Sequence, residues 1–194
     1  LIKSNFQSAA ISTQTQTKPQ TQPQTPSKPQ SQTQTSTSDT NISSKGIRGK
    51  TIVIDPGHGG SDSGAVGLNG YKEKDWTLKT ALACADYLTK AGANVIMTRK
   101  NDTYPTLQDR ADISNNSKAV FFCSIHYNKG GAVVNADTGE LSGTGVEVYT
   151  GEGGLSQNIA SKVLNSILAK FDMRNRGVKD GTHLYVIANT EAPA

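Results

Sequence analysis

Two imidazoles and one carboxylate stand where a metal site could be built. They are His58 in "DPGHGG", Glu73 in "GYKEKDW" and His126 at the end of "FFCSIHYN". Glycines around His58 let a ligand approach with little steric hindrance. Glu73 comes just before a helical pattern, and His126 follows an apolar run that gives way to a polar loop. Two histidines and a carboxylate with an open fourth position make a catalytic zinc set, whereas structural sites are usually closed by four protein ligands. Spacing alone leaves plainer readings open. His58 can cap a turn, Glu73 can favour a helix N-terminus electrostatically, and His126 can be a satisfied histidine at a strand end.

Other residues are weighed in the same way. Asp55 beside Pro56 reads as a turn residue, with the alternative of orienting His58 through a hydrogen bond. Asn128, two residues beyond His126, can face the site or simply form a turn. Arg110 reads as a salt-bridge or packing residue, and His183 in "DGTHLYV" as structural or at a substrate rim. Cys84 falls in a helical pattern and Cys123 in an apolar strand pattern, so both read as buried free thiols.

The elements that must position these residues follow from periodicity. Thr51–Asp55 reads as a short buried strand ended by Pro56-Gly57. Leu78, Ala81, Leu82, Ala85 and Leu88 share one helix face, with Asp75 as cap and Gly92 as stop. "ANVIMTR" reads as a second strand. A second helix, "LQDRADISNNSK", is capped by Thr106, and "AVFFCSIH" is a third strand. After a Gly-rich connection, "GTGVEVYT" is a fourth strand. Leu155, Ile159, Val163, Ile167 and Phe171 mark a third helix, and "HLYVIAN" a fifth strand. Such alternation predicts an α/β fold, a three-layer α/β/α sandwich around a largely parallel mixed sheet. Ligands gather outside the carboxyl ends of strands in such sheets, so His58 and His126 should share one edge.

The remainder of the chain is of another kind. Residues 1–47 are rich in Gln, Thr, Ser and Pro and read as a disordered linker ahead of a domain at 48–194. Residues 1–50 carry six Lys/Arg against Asp39, while residues 51–194 carry fourteen Lys/Arg against fifteen Asp/Glu. The net charge of +4 therefore belongs to the linker region, and a nucleic-acid surface is poorly supported. No run approaches the ~20 apolar residues of a membrane span. "LIKSNFQSAA" lacks the apolar core of a signal peptide. A monomer is expected.

"TIVIDPGHGGSDSGAVG", followed by "KEKD" and "FFCSIHYN", resembles the zinc-dependent N-acetylmuramoyl-L-alanine amidases of the Amidase_3 type. The similarity runs from about Lys50 to the last residue and includes "RNRGVKD" and "LYVIANTEAPA". It implies that His58, Glu73 and His126 bind Zn²⁺. It also implies the substrate, the amide joining the lactyl group of N-acetylmuramic acid to L-alanine in bacterial peptidoglycan, and an extracellular or cell-wall location. Zinc lowers the pKa of a bound water toward ~7 and polarises a carbonyl, which suits amide hydrolysis.

The resemblance also calls for a second glutamate as general base, on an apolar strand beyond "NTEAPA" and so past Ala194. Glu147, Glu152 and Glu191 do not match it. The domain is therefore expected to lack its base, its last strand and a closing helix, and the chain by itself to be inactive or nearly so. The main rival is a zinc protein that engages peptidoglycan without cutting it. Zinc carboxypeptidases are disfavoured, because their first histidine and glutamate are close in sequence while His58 and Glu73 lie fifteen residues apart. A purely structural α/β protein is the bland alternative.

Overall fold

The strand β1 (Thr51–Pro56) is apolar on both faces, and both faces are covered. Ile52, Val53 and Ile54 are all buried, as a strand inside a parallel sheet requires. The computed structural model describes residues 46–67, 69–129, 133–134, 141–142 and 144–194. The expected linker falls almost wholly outside these residues, although Ile47 already packs on the core.

β1 pairs in parallel with β2 (Asn94–Met97) and β3 (Phe121–Ile125), in the order β2-β1-β3. The crossovers are α1 (Glu73–Lys90) and α2 (Leu107–Asn116). Alternation along β1 assigns the two helix layers. Ile52 and Ile54 meet Ala81, Cys84 and Leu88 of α1, while Asp55, of opposite parity, meets Arg110 of α2. Register sets the site: Pro56 lies beside Ile125, so the chain leaves β1 toward His58 and β3 toward His126 at one edge.

A second parallel pair, β6 (Val146–Thr150) with β7 (Asn175–Asp180), carries α3 (Gly154–Leu168). The backbone of Pro193 accepts from Phe122 N–H of β3 at 3.0 Å, and Ala194 accepts from Gly151 N–H at 3.2 Å. A short antiparallel ladder, β4 (Val133–Val134) with β5 (Leu141–Ser142), stands within the segment read from sequence as connection. No helix among the described residues is long and apolar enough to cross a membrane. Cys84 and Cys123 are free and partly buried in the core layer, and burial pushes the Cys123 thiol up to about 12.

Several expectations are corrected. "HLYVIAN" is not a strand: Tyr185–Ala188 is a short helix, α4, and the strand is the polar "NRGVKD" of β7. Periodicity cannot tell a short apolar run in a strand from one in a helix. β7 is polar because its Lys179 and Arg176 pair with Glu147 on β6. Asp75 lies in the first turn of α1, whose N-cap is Lys72. Thr106 does cap α2, in a reciprocal box with Asp109. On α1 the buried line runs through Glu73, Thr77 and Ala81, leaving Leu82 exposed. On α3 it runs through Ser156, Ala160 and Leu164, with Leu155 and Val163 exposed, and Phe171, also exposed, lies past the helix end. The buried line of α3 keeps the expected four-residue spacing but lies one position further along, because packing against β6 and β7, and not spacing, selects the face.

Candidate metal centre

His58 sits in the turn after β1 with φ +59°, a left-handed conformation uncommon for a non-glycine residue. This backbone turns its imidazole back toward α1 and the end of β3. His58 Nε2 comes 3.2 Å from Glu73 Oε2, and His126 Nδ1 comes 3.2 Å from Glu73 Oε1. The two ring nitrogens, His126 Nδ1 and His58 Nε2, are 3.1 Å apart. All three ligand atoms lie within 4.8 Å of one another. Tetrahedral zinc with ligands at about 2.0–2.1 Å places neighbouring donors about 3.3 Å apart, so this donor set fits the ion in kind and in spacing.

Glu73 starts α1, and its carboxylate is nearly enclosed. Oε1 accepts from Tyr127 N–H at 2.8 Å and Asn128 N–H at 2.9 Å, and Oε2 from Ala65 N–H at 2.9 Å. Burial by itself would raise its pKa. The hydrogen bonds from His126, Ala65, Asn128 and Tyr127 outweigh burial and hold the carboxyl far below the usual range. The loop after β3 is tied to α1 a second time, through Tyr127 Oη and Thr80 Oγ1 at 2.6 Å.

Close approach requires two glycines. A Cβ at Gly57 would overlap the His126 ring at Cε1 and Nε2. One at Gly64 would lie 2.5 Å from His58 Cδ2 and 2.8 Å from Glu73 Cβ. Gly64 also has φ +62°, which a side chain disfavours.

The residue that orients His58 is Asp62, not Asp55. Asp62 Oδ2 lies 2.8 Å from His58 Nδ1, and its Oδ1 accepts from Gly64 N–H at 2.9 Å. Those two bonds, the Gly64 amide foremost, lower the Asp62 pKa. A carboxylate on one imidazole nitrogen fixes the tautomer that presents the other. Asp55 points to the opposite face, where it accepts from Arg110 Nη1 at 2.6 Å, Thr98 Oγ1 at 2.5 Å and Ser124 Oγ at 2.6 Å. Arg110 thus makes the ion pair expected of it. Asn128 meets the site through its backbone N–H, at φ +50°. His183 stands outside the group, in the turn before α4, with its ring edge against Tyr149.

Sequence reasoning passed over Asp62, Arg99, Thr77 and Lys74. For Asp62 a signal existed, a carboxylate four residues after His58 within a glycine-rich turn. For Arg99, Thr77 and Lys74 the sequence offers none, since their roles depend on which carbonyls the fold brings to them.

A family model described as N-acetylmuramoyl-L-alanine amidase, Amidase_3, matches residues 52–194. The chain is 39% identical over 160 residues to a probable cell wall amidase, LytH, of Staphylococcus epidermidis, covering 81% of this chain and 50% of that one. It is 38% identical over 147 residues to a sporulation-specific N-acetylmuramoyl-L-alanine amidase of Bacillus subtilis, covering 74% and 52%. The chain thus spans about half the length of these two relatives. Among solved structures, an N-acetylmuramoyl-L-alanine amidase from Clostridium difficile 630 is similar, with TM-score 0.66 and 32% identity over 76% of this chain and 77% of that one.

Proposed function

This chain belongs to the Amidase_3 family of N-acetylmuramoyl-L-alanine amidases, and we propose that it serves zinc-dependent hydrolysis of the amide between N-acetylmuramic acid and L-alanine in bacterial peptidoglycan. The observation that carries the reading is the convergence of His58, Glu73 and His126 donor atoms at the shared edge of β1 and β3. When bound, zinc supplies a Lewis acid that activates water and polarises the amide carbonyl.

The chain's own residues provide the preorganisation. Asp62 holds His58 Nδ1, so that Nε2 is the donor presented to the ion. Backbone N–H groups of Ala65, Tyr127 and Asn128 fix the Glu73 carboxylate. His126 is the more open ligand, with 41% of its side chain exposed, which leaves its side of the group accessible to substrate. A location at the cell wall belongs to this proposal, supported by a relative named for that place. So does a tether at residues 1–47 ahead of a catalytic domain at 48–194. Limited proteolysis should trim the tether without changing zinc content.

The test is a zinc determination paired with a peptidoglycan digest. One zinc per folded domain is expected, falling sharply in His58→Ala, Glu73→Ala and His126→Ala. Stoichiometric zinc in His126→Ala would remove that residue from the site. The digest should release new N-terminal L-alanine. It runs on this chain and on one extended past Ala194, where the resemblance places the base. Retention on peptidoglycan with no new amine from either chain would favour a binding protein instead.

A further inference from the structure

The carbonyl oxygens of the turn that carries His58 are all hydrogen-bonded, and basic side chains take most of them. Pro56 O accepts from Arg99 Nε at 3.0 Å and from Arg110 Nη1 at 2.8 Å. Gly57 O accepts from Arg99 Nη2 and from Thr77 Oγ1, both at 2.8 Å. His58 O accepts from Arg110 Nη2 at 2.8 Å. Further along, Gly59 O accepts from Asp62 N–H at 3.0 Å, and Gly60 O from Lys74 Nζ at 2.8 Å. Five consecutive carbonyls, from Pro56 to Gly60, are therefore held by hydrogen bonds.

The two arginines are not ordinary core residues. Arg99 is 3% exposed and Arg110 is 2% exposed. Arg110 has Asp55 as counter-charge, but each of the five hydrogen bonds of Arg99 ends on a neutral oxygen. Burying a guanidinium without a carboxylate is expensive. What Arg99 does with that position is specific: its planar fork spans Pro56 O, Gly57 O and Lys74 O, joining the His58 turn to the first turn of α1 beside Glu73. Thr77 closes the same junction by donating to Gly57 O and accepting from Arg99 Nη2 at 3.0 Å.

We propose that Arg99 and Arg110, with Thr77, are positioning residues of the metal centre, which set the placement of His58 relative to Glu73 by clamping the carbonyls of Pro56, Gly57 and His58. The proposal rests on the metal reading above. Arg110 holds His58 in its left-handed backbone from the carbonyl side, while Asp62 holds the same residue at its ring. Arg99 fixes the distance between the two ligand-bearing segments. A lysine at either position keeps the charge and loses the fork.

The experiment compares Arg110→Lys and Thr77→Val with the wild type and with Lys90→Ala, which breaks an exposed pair with Asp86. Zinc Kd is measured by chelator competition, and amide hydrogen exchange is measured on the metal-free proteins. Arg110→Lys should weaken zinc about 10–100-fold, the range of outer-shell partners, and Thr77→Val less. Exchange should quicken at Gly59, Gly60 and Gly64 relative to Val53 and Ile54, while Lys90→Ala changes neither. A general loss of stability would instead quicken all of these amides together and overturn the proposal. Unchanged zinc affinity with unchanged turn amides would overturn it too. Should Arg110→Lys not fold, the shape-conserving Thr77→Val decides by the same two criteria. A wild type that takes up no zinc would sink the metal reading, and the metal-free exchange data would still decide whether these side chains hold the turn.

Discussion

The two parallel sheets of this molecule both carry charge, and they handle it in opposite ways. Between β1 and its neighbours Asp55 and Arg110 are almost fully buried, at 1% and 3% side-chain exposure. Both Asp55 oxygens are bonded, one to Arg110 and Thr98 and the other to Ser124. Between β6 and β7 Glu147 accepts from Lys179 at 2.6 Å and Arg176 at 3.0 Å, with the cations about a third exposed. The Lys179 hydrogen bond, with Arg176 nearby, lowers the Glu147 pKa. The first arrangement permits one geometry, because water cannot replace a lost partner. The second permits several. The donor group of the proposed metal site is built over the first.

The largest break in that contrast should come from Asp55→Ala. It strands a buried guanidinium, a change that costs about 3–5 kcal/mol, read as a drop in denaturant midpoint. A cost near that of a surface substitution would erase the distinction between the two regions. Gly57→Ala sharpens it from the other side. The added methyl meets the His126 ring, so zinc binding should be lost, with about 1–3 kcal/mol of overpacking. Zinc content and a melt on one sample separate these effects, and full zinc retention would show that His126 can step aside.

A smaller effect is expected at the entrance to α2. Thr106→Ala removes one half of the capping box, worth about 1 kcal/mol. Hydrogen bonds from the Thr106 side chain and then its backbone lower the pKa of Asp109. The sign follows: this carboxylate contributes stability above its unfolded pKa of about 3.9, and loses it as pH falls through the lower folded value. The stability difference between wild type and Thr106→Ala should therefore narrow in acid, and a difference that widens would contradict the box. Smallest of all is Glu147→Ala, at about 0–1 kcal/mol, shrinking further with added salt. A loss as large as that of Asp55→Ala would show the β6–β7 cluster to be structural.

Legibility in the sequence followed the same divide. Local patterns were readable: the apolar run of β1, the Thr106 cap, and strands at 94–97, 121–125 and 146–150. Elements whose burial depends on a distant partner were not. β7 is polar because its cations meet Glu147 across the ladder, so it carries no apolar signature. The apolar "LYVIA" then attracted the strand assignment that belonged to its neighbour. The α3 face was displaced by one residue, since tertiary packing chose the line through Ala160 and Leu164, while on α1 the expected Ala81 and Leu88 do lie at the core and only Leu82 is exposed.

By itself the sequence determined the donor types, the glycines that leave room for them, and the run of apolar residues that makes β1 a buried strand. These depend on composition and on spacing within a few residues, which a chain carries wherever it folds. Only the tertiary structure decided which carboxylate orients His58. Strand alternation sends Asp55 to Arg110 on one face, while the turn folds Asp62 back onto the ring. It also decided that Arg99, some forty residues from the turn in sequence, would hold Pro56 and Gly57. A carbonyl has no sequence signature, and its partner is whichever donor the parallel register brings within reach.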